Sequence, residues 1–103
     1  MWKVLANMQI KKFDNFLKFA KKIENPERFK VFPRGGIDIF YNERKVAMIY
    51  LIISSTKDFR RGDIVINTDI SDKKRDLLQN ERIRMGEKIW IDLIKQYEKE
   101  ESL

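Results

Sequence analysis

Apolar and polar positions alternate along residues 2–10, which predicts a half-buried strand with only Leu5 out of phase. The face predicted to be buried consists of Trp2, Val4, Ala6, Met8 and Ile10. Residues 11–24 then change to a helical period, which predicts an amphipathic helix. Its apolar stripe consists of Phe13, Phe16, Leu17, Ala20 and Ile23. Asn25-Pro26 predicts the end of this helix, because a residue that precedes proline is disfavoured in helical geometry.

The middle of the chain predicts short strands that are separated by turns. We expect the strands at residues 29–32, 37–41, 46–53 and 64–66. The strongest turn signal is Pro33-Arg34-Gly35-Gly36, and residues 42–45 and 54–62 predict a hairpin connection and a polar loop. Every residue from 46 to 53 is apolar, so this strand is either covered on both faces or has one face that awaits a partner.

A second, longer helix is predicted at the C-terminal end of the chain. Ser71 suits an N-cap and Asp72 the first turn, so we expect the helix to run from there to about residue 100. Gly86 lies inside it and costs about 1 kcal/mol relative to alanine, which predicts a kink or a close contact. The element order β-α-β-β-β-β-α predicts a single α+β domain over residues 1–103. In it, two helices pack on one face of an antiparallel sheet of four to five strands.

Composition excludes several classes of function. The chain has no cysteine and no histidine, which excludes disulfide frameworks, cysteine nucleophiles, histidine acid–base catalysis and ordinary zinc sites. No apolar run is long enough to span a membrane, and we find no signal peptide. We therefore expect a cytoplasmic protein that has no membrane partner.

Positive charge is concentrated at one end of the chain. The net charge is +6, and residues 1–36 contain all of this excess, with nine Lys or Arg against three Asp or Glu. A one-sided basic surface is typical of proteins that bind polyanions, so we predict binding to DNA or RNA, mainly through backbone phosphates. The residues predicted to make these contacts are Lys11, Lys18, Lys21, Lys22, Arg28, Lys30 and Arg34, with Arg60 and Arg61 as helpers.

Other interpretations of the same residues stay open. The lysines of helix 11–24 could form an ordinary solvated face, or dock on an acidic protein, as in a phage or viral regulator of a host enzyme. In the loop that precedes Gly62, Phe59 could stack on bases beside two arginines, although a place in the core is the interpretation we favour. Trp90, Ile94 and Tyr97 could pack on the chain's own sheet or form a homodimer seam on the C-terminal helix.

An enzyme is the least favoured class. Asp38 follows two glycines on a predicted strand, and Glu43-Arg44-Lys45 lies just beyond it. This resembles the restriction-nuclease-like family, in which an Asp and a later Glu-x-Lys on a hairpin hold Mg²⁺; the resemblance covers residues 11–55. The chain departs from the pattern because Glu43 falls in the turn and residues 46–53 contain no acid or lysine. We therefore predict a solvent-facing Asp38, no catalytic residue, no metal site and no cofactor.

The layout of the chain carries a second resemblance. A strand, a helix, several strands and a long helix, with Asn25-Pro26-Glu27-Arg28-Phe29 after the first helix, resembles one half of the TATA-binding protein family. This resemblance implies the α+β layout. It assigns no functional residue, because folds of this kind host unrelated functions.

Overall fold

The chain folds as a five-stranded antiparallel sheet that is covered on one face by two helices, in a computed structural model that describes residues 1–72 and 74–103. The predicted element order is confirmed, and the strands lie side by side in the order β1-β5-β4-β3-β2. The elements are β1 (Trp2–Asn7), α1 (Ile10–Lys22), β2 (Phe29–Phe32), β3 (Gly36–Tyr41), β4 (Arg44–Leu51), β5 (Asp63–Asn67) and α2 (Gln79–Glu101).

The hydrophobic core lies between the sheet and the two helices. Alternate residues of the three central strands face the helices, and all are buried: Ile37, Ile39, Ala47, Ile49, Ile64 and Ile66. From α1, Phe16 is fully buried, and its ring centroid lies 5.1 Å from that of Trp90 and 5.6 Å from that of Tyr97. The apolar stripe of α1 therefore holds α2 in place through aromatic edge contacts.

Gly86 allows α2 to approach the sheet closely. A Cβ atom at this position would lie 1.9 Å from Cδ1 of Ile66, so the predicted close contact is confirmed. The helix-propensity cost of the glycine is offset by tight packing of α2 on β5.

The predicted buried face of β1 is wrong, because the strand contains a bulge. Val4 pairs with Val65 and Ala6 with Ile64, so Leu5 is an extra residue between them. The bulge reverses the side of the sheet to which the following side chains point. Ala6 therefore lies on the helix side, whereas Trp2 and Val4 lie on the opposite side and are exposed. The strand also ends at Asn7, so Met8 and Ile10 are not part of it.

The predicted start of the second helix is wrong as well. The helix begins at Gln79, and Ser71, Asp72 and residues 74–78 are not helical; Lys73 lies outside the described residues. The Asp72 carboxylate accepts hydrogen bonds from Arg44 Nε (3.0 Å) and Arg82 Nη2 (2.8 Å). Its charge is therefore used in contacts with a strand and with α2 rather than at a helix N-terminus.

The face of the sheet opposite the helices, here called the open face, has no helix on it. Strand alternation and register place on it Trp2, Val4, Lys30, Phe32, Asp38, Phe40, Lys45, Met48, Tyr50, Val65 and Asn67. The apolar strand predicted at 46–53 thus has one face in the core and one face, with Met48 and Tyr50, that is partly exposed. Of the two alternatives for this strand, the structure favours a face that no helix covers, although its neighbour Val65 on the same face is fully buried.

Candidate nucleic-acid interface

Three predicted lysines form a row on the outer side of α1. Lys11, Lys18 and Lys22 are exposed and lie opposite the buried stripe of the helix. At 1.5 Å per residue the row is about 16 Å long. Among the described residues, none of the three has a carboxylate within ion-pair distance, and Asp14 is the one acid in the helix. We call these three residues the lysine row.

Two other predicted residues have carboxylate partners. Lys21 Nζ lies 2.9 Å from Oε2 of Glu24, and the same oxygen accepts a hydrogen bond of 2.7 Å from the Val31 amide. This backbone hydrogen bond, with the Lys21 contact, lowers the pKa of Glu24. Arg28 lies 4.0 Å from Asp92 on α2. These two cations are partly neutralised and offer less charge to a polyanion than the lysine row does.

The remaining predicted cations lie away from α1. Lys30 is on the open face, where its Nζ lies 4.9 Å from the centroid of the Phe40 ring. Arg34 is in the β2–β3 turn, and Arg60 and Arg61 are in the loop between β4 and β5. In sequence these residues look like an extension of the helix face. In the structure they belong to the sheet and its connections.

One end of the sheet collects cations from separate parts of the chain. Gly36 at the start of β3 pairs with Tyr50 near the end of β4, and Asn7 at the end of β1 pairs with Asp63 at the start of β5. The β2–β3 turn, the loop 52–62 and the start of α1 are therefore at the same end. We call it the basic end; its cations are Lys11, Lys12, Arg34, Lys57, Arg60 and Arg61. Lys12 was not singled out from the sequence.

Local hydrogen bonds fix the loop 52–62. The Ser55 hydroxyl oxygen accepts from the Arg61 amide (3.0 Å), and the Asp63 carboxylate accepts from the Arg60 amide (2.9 Å) and from Asn7 Nδ2 (3.0 Å). The hydrogen bonds from Asn7 and then from Arg60 lower the pKa of Asp63. The backbone of both arginines is thus held in place at this end of the sheet.

The place of Phe59 differs from the one favoured from the sequence. Its ring is not in the core between sheet and helices; it packs edge-on against Trp2, with a centroid distance of 4.4 Å. Since Trp2 is 46% exposed, this pair forms an aromatic corner at the β1 edge of the open face.

The acidic residues do not gather into a site. Asp38 is half-buried, and its Oδ2 lies 3.6 Å from Nζ of Lys45 on the neighbouring strand, while Glu43 is in the tight turn with a φ of 65°. The expectation of a solvent-facing Asp38 is therefore only half met. Over residues 1–72 and 74–103, no three Asp or Glu residues lie close enough to hold a metal ion.

The aromatic residues of α2 are mostly used within the chain. Trp90 and Tyr97 are buried against Phe16, so they contribute to the core rather than to an exposed seam. Ile91 is 45% exposed and Ile94 half-buried. A homodimer through α2 stays a prediction that would have to use these two isoleucines without Trp90.

A buried ion network ties the segment before α2 to the sheet. The side chains of Asp72 and Arg82 are only 7% and 5% exposed, and Arg44 joins them and also contacts Asp76. Hydrogen bonds from Arg44 and then Arg82 lower the pKa of Asp72 from 3.8 to about 2. Because the folded-state pKa is the lower one, the stabilisation is complete above the unfolded value and is lost as the pH falls from about 5 to 2.

We predict that Asp72→Asn lowers the melting temperature by roughly 10 °C at pH 6, because it leaves the buried Arg82 guanidinium without a carboxylate and leaves Arg44 with Asp76 alone. The difference from the wild type should shrink as the pH falls towards 2, where the Asp72 carboxyl of the folded wild type is about half protonated. Thermal unfolding followed by circular dichroism at several pH values measures this. Asp92→Asn, at a half-exposed position, is the control and should have little effect; a difference that is independent of pH would contradict the role of Asp72.

No helix within the described residues is both long and apolar enough to cross a membrane. The chain matches no protein-family model, no curated protein and no solved structure, so its likeness in layout to the TATA-binding protein family remains a resemblance.

Proposed function

We propose that this protein binds nucleic acid through the phosphate backbone. The observation that supports this most directly is the distribution of charge. The lysine row has no ion-pair partner among the described residues, and it leads through Lys11 to the basic end, where Arg34, Arg60 and Arg61 lie. Cations spread along one helix and one end of the sheet suit a phosphate backbone, because each neutralised phosphate releases a counterion.

The outer side of α2 provides an internal comparison. Its exposed residues include Lys88, Asp92, Lys95 and Glu98, so positive and negative charges are interspersed. An ordinary solvated helix face has this mixed character. The outer side of α1 has Asp14 as its one acid, so most of its positive charge is uncompensated, which favours a binding role over simple solvation.

The charge-reversal pair Lys18→Glu, Lys22→Glu tests the proposal. It should weaken binding to a labelled single strand or duplex by at least about tenfold, because two phosphate contacts are lost and two repulsions are added. The matched control is Arg84→Glu, Lys88→Glu, which makes the same change in net charge with the same spacing on α2. Fluorescence anisotropy at low salt measures both.

Two results would contradict nucleic-acid binding. One is equal weakening by the test pair and the control pair, since the effect would then reflect net charge alone. The other is binding that heparin and random DNA fail to compete. A failure to bind any nucleic acid at low salt would favour the alternative of an acidic protein partner, for which electrostatics would mainly set the association rate.

A further inference from the structure

The open face has an unusual combination of exposed aromatic rings and positive charge. Phe32 is 48% exposed and Trp2 46% exposed, and Tyr50 and Phe40 on the same face are half-buried. A sheet face with water on it usually carries mainly polar residues. Large exposed rings grouped on one face indicate a surface that binds a partner.

A gap in one row of side chains forms a slot on this face. Phe32, Gly36 and Tyr50 are direct neighbours across β2, β3 and β4. Because strands are about 4.8 Å apart, the Cα atoms of the two aromatic residues are separated by about 9.6 Å, and Gly36 places no side chain between them. A flat ring in van der Waals contact with a ring on each side needs about 7–8 Å. The row therefore has room for one planar group between Phe32 and Tyr50.

The gap is fixed by the backbone. Gly36 has a φ of 155°, and a Cβ atom there would lie 2.1 Å from the carbonyl oxygen of Ile49. Only glycine fits at this position, so the slot is a constant feature of the fold. The shallow depression above it has a volume of about 380 Å³ and is lined mainly by residues of β3 and β4, including Asp38, Met48 and Tyr50; Phe32 lies beside it, outside the lining.

Charge around the slot favours a polyanion. Arg34 follows Phe32 by two residues, and the loop that carries Arg60 and Arg61 begins where β4 ends, just after Tyr50. The aromatic row is thus the row next to the basic end. A single strand of nucleic acid whose bases lie on the aromatic row would place its phosphates along the basic end. Proteins that bind single strands typically combine aromatic stacking platforms with cationic grooves in this way.

A second copy of the chain is a poorer occupant of this face. A two-fold interface would bring the same patch against itself. The basic end has six Lys or Arg, and the open face adds Lys30 and Lys45. The acids on these two surfaces are Asp38, Asp58 and Asp63, so two copies would repel each other. Like charges across an interface suppress association.

We infer that the open face binds the bases of single-stranded nucleic acid, with one base in the slot between Phe32 and Tyr50 and another against the Trp2–Phe59 corner. This inference rests on the proposed function and adds to it the form of nucleic acid and the surface that reads its bases. Duplex nucleic acid, whose bases are stacked inside the helix, would contact the cations without entering the slot.

The test compares labelled strands of equal length and charge: oligo(dT), oligo(U) and a strand of abasic deoxyribose phosphates. We expect both base-containing strands to bind at least about fivefold more tightly than the abasic one, because stacking contributes about 1–3 kcal/mol per base. A preference of one over the other would distinguish DNA from RNA as the ligand. Quenching of Trp2 fluorescence on binding is a second readout, since the other tryptophan, Trp90, is buried.

Phe32→Ala should remove most of the difference between oligo(dT) and the abasic strand. The control is Ile91→Ala, which truncates a side chain of similar exposure, 45%, on α2 and should leave that difference unchanged.

Equal binding of abasic and base-containing strands, or an unaltered preference in Phe32→Ala, would overturn the stacking inference while phosphate binding stands. If neither strand binds, the proposed function fails as well. A concentration-dependent dimer in sedimentation that Phe32→Ala abolishes would assign the face to a second copy and overturn the inference.

Discussion

Phe16→Ala should destabilise the protein by about 4 kcal/mol, because the ring is fully buried and its removal leaves a cavity between the two helices. The ring also makes edge contacts with Trp90 and Tyr97, and aromatic pairs contribute beyond the area they bury. For a domain whose total stability is about 5–15 kcal/mol, this loss is a large fraction of the whole. The melting temperature should fall by roughly 20 °C.

Urea denaturation of the variant and the wild type measures this effect. The control is Phe32→Ala, which removes the same ring from a position that is 48% exposed on the open face, outside the core. It should change the free energy of unfolding by less than about 1 kcal/mol. If both substitutions lowered the urea midpoint equally, Phe16 would not be the point at which α1 and α2 are joined.

The contrast between these two phenylalanines shows what periodicity can predict. Phe16 lies in a helical stripe, and this spacing indicates burial without any knowledge of the sheet. Phe32 is in a four-residue strand whose alternation gives two possible faces. Only the register with β3 and the position of the helices decide which face is buried, and these are tertiary facts.

Each of the two errors in the predicted elements has an identifiable cause in the structure. Leu5 was the one residue out of phase in the first strand, and it is where the bulge occurs. The break in alternation at Leu5 therefore indicated the bulge, but the sequence alone does not distinguish a bulge from an isolated exception to the pattern. Ser71 and Asp72 have the chemistry of a helix start, yet Arg44 and Arg82 bind the Asp72 carboxylate from distant parts of the chain.

Only part of the candidate interface could be predicted from local patterns in the sequence. The lysine row follows from helical spacing, since residues 11, 18 and 22 return to the same side of a helix. The basic end does not, because its cations come from a turn, a loop and a helix start that are far apart in sequence. The strand order β1-β5-β4-β3-β2 brings them together, and no local pattern encodes that order.

The two cationic regions also suggest how one strand of nucleic acid could use both sides of the molecule. The basic end lies between the open face and the helix layer, and Lys11 belongs both to it and to the lysine row. The protein is 19 Å across in its shortest dimension. A strand held by its bases on the open face could therefore pass around the basic end and continue along α1.

The salt dependence of binding is the largest functional effect we expect. If about five phosphates are neutralised, the slope of log K against log salt for a single strand is about −3.5, and affinity falls about 100-fold between 50 and 200 mM salt. Lys18→Glu, Lys22→Glu should make the slope shallower by about 1.4, because two contacts are removed. The control pair on α2 should leave the slope as it is in the wild type.

A salt titration of the binding constant for labelled oligo(dT) is thus the most direct measurement of phosphate binding. A steep slope that becomes shallower when the lysine row is reversed is the result we predict. An affinity that changes by less than about twofold over the same range would contradict phosphate binding as the function of this surface.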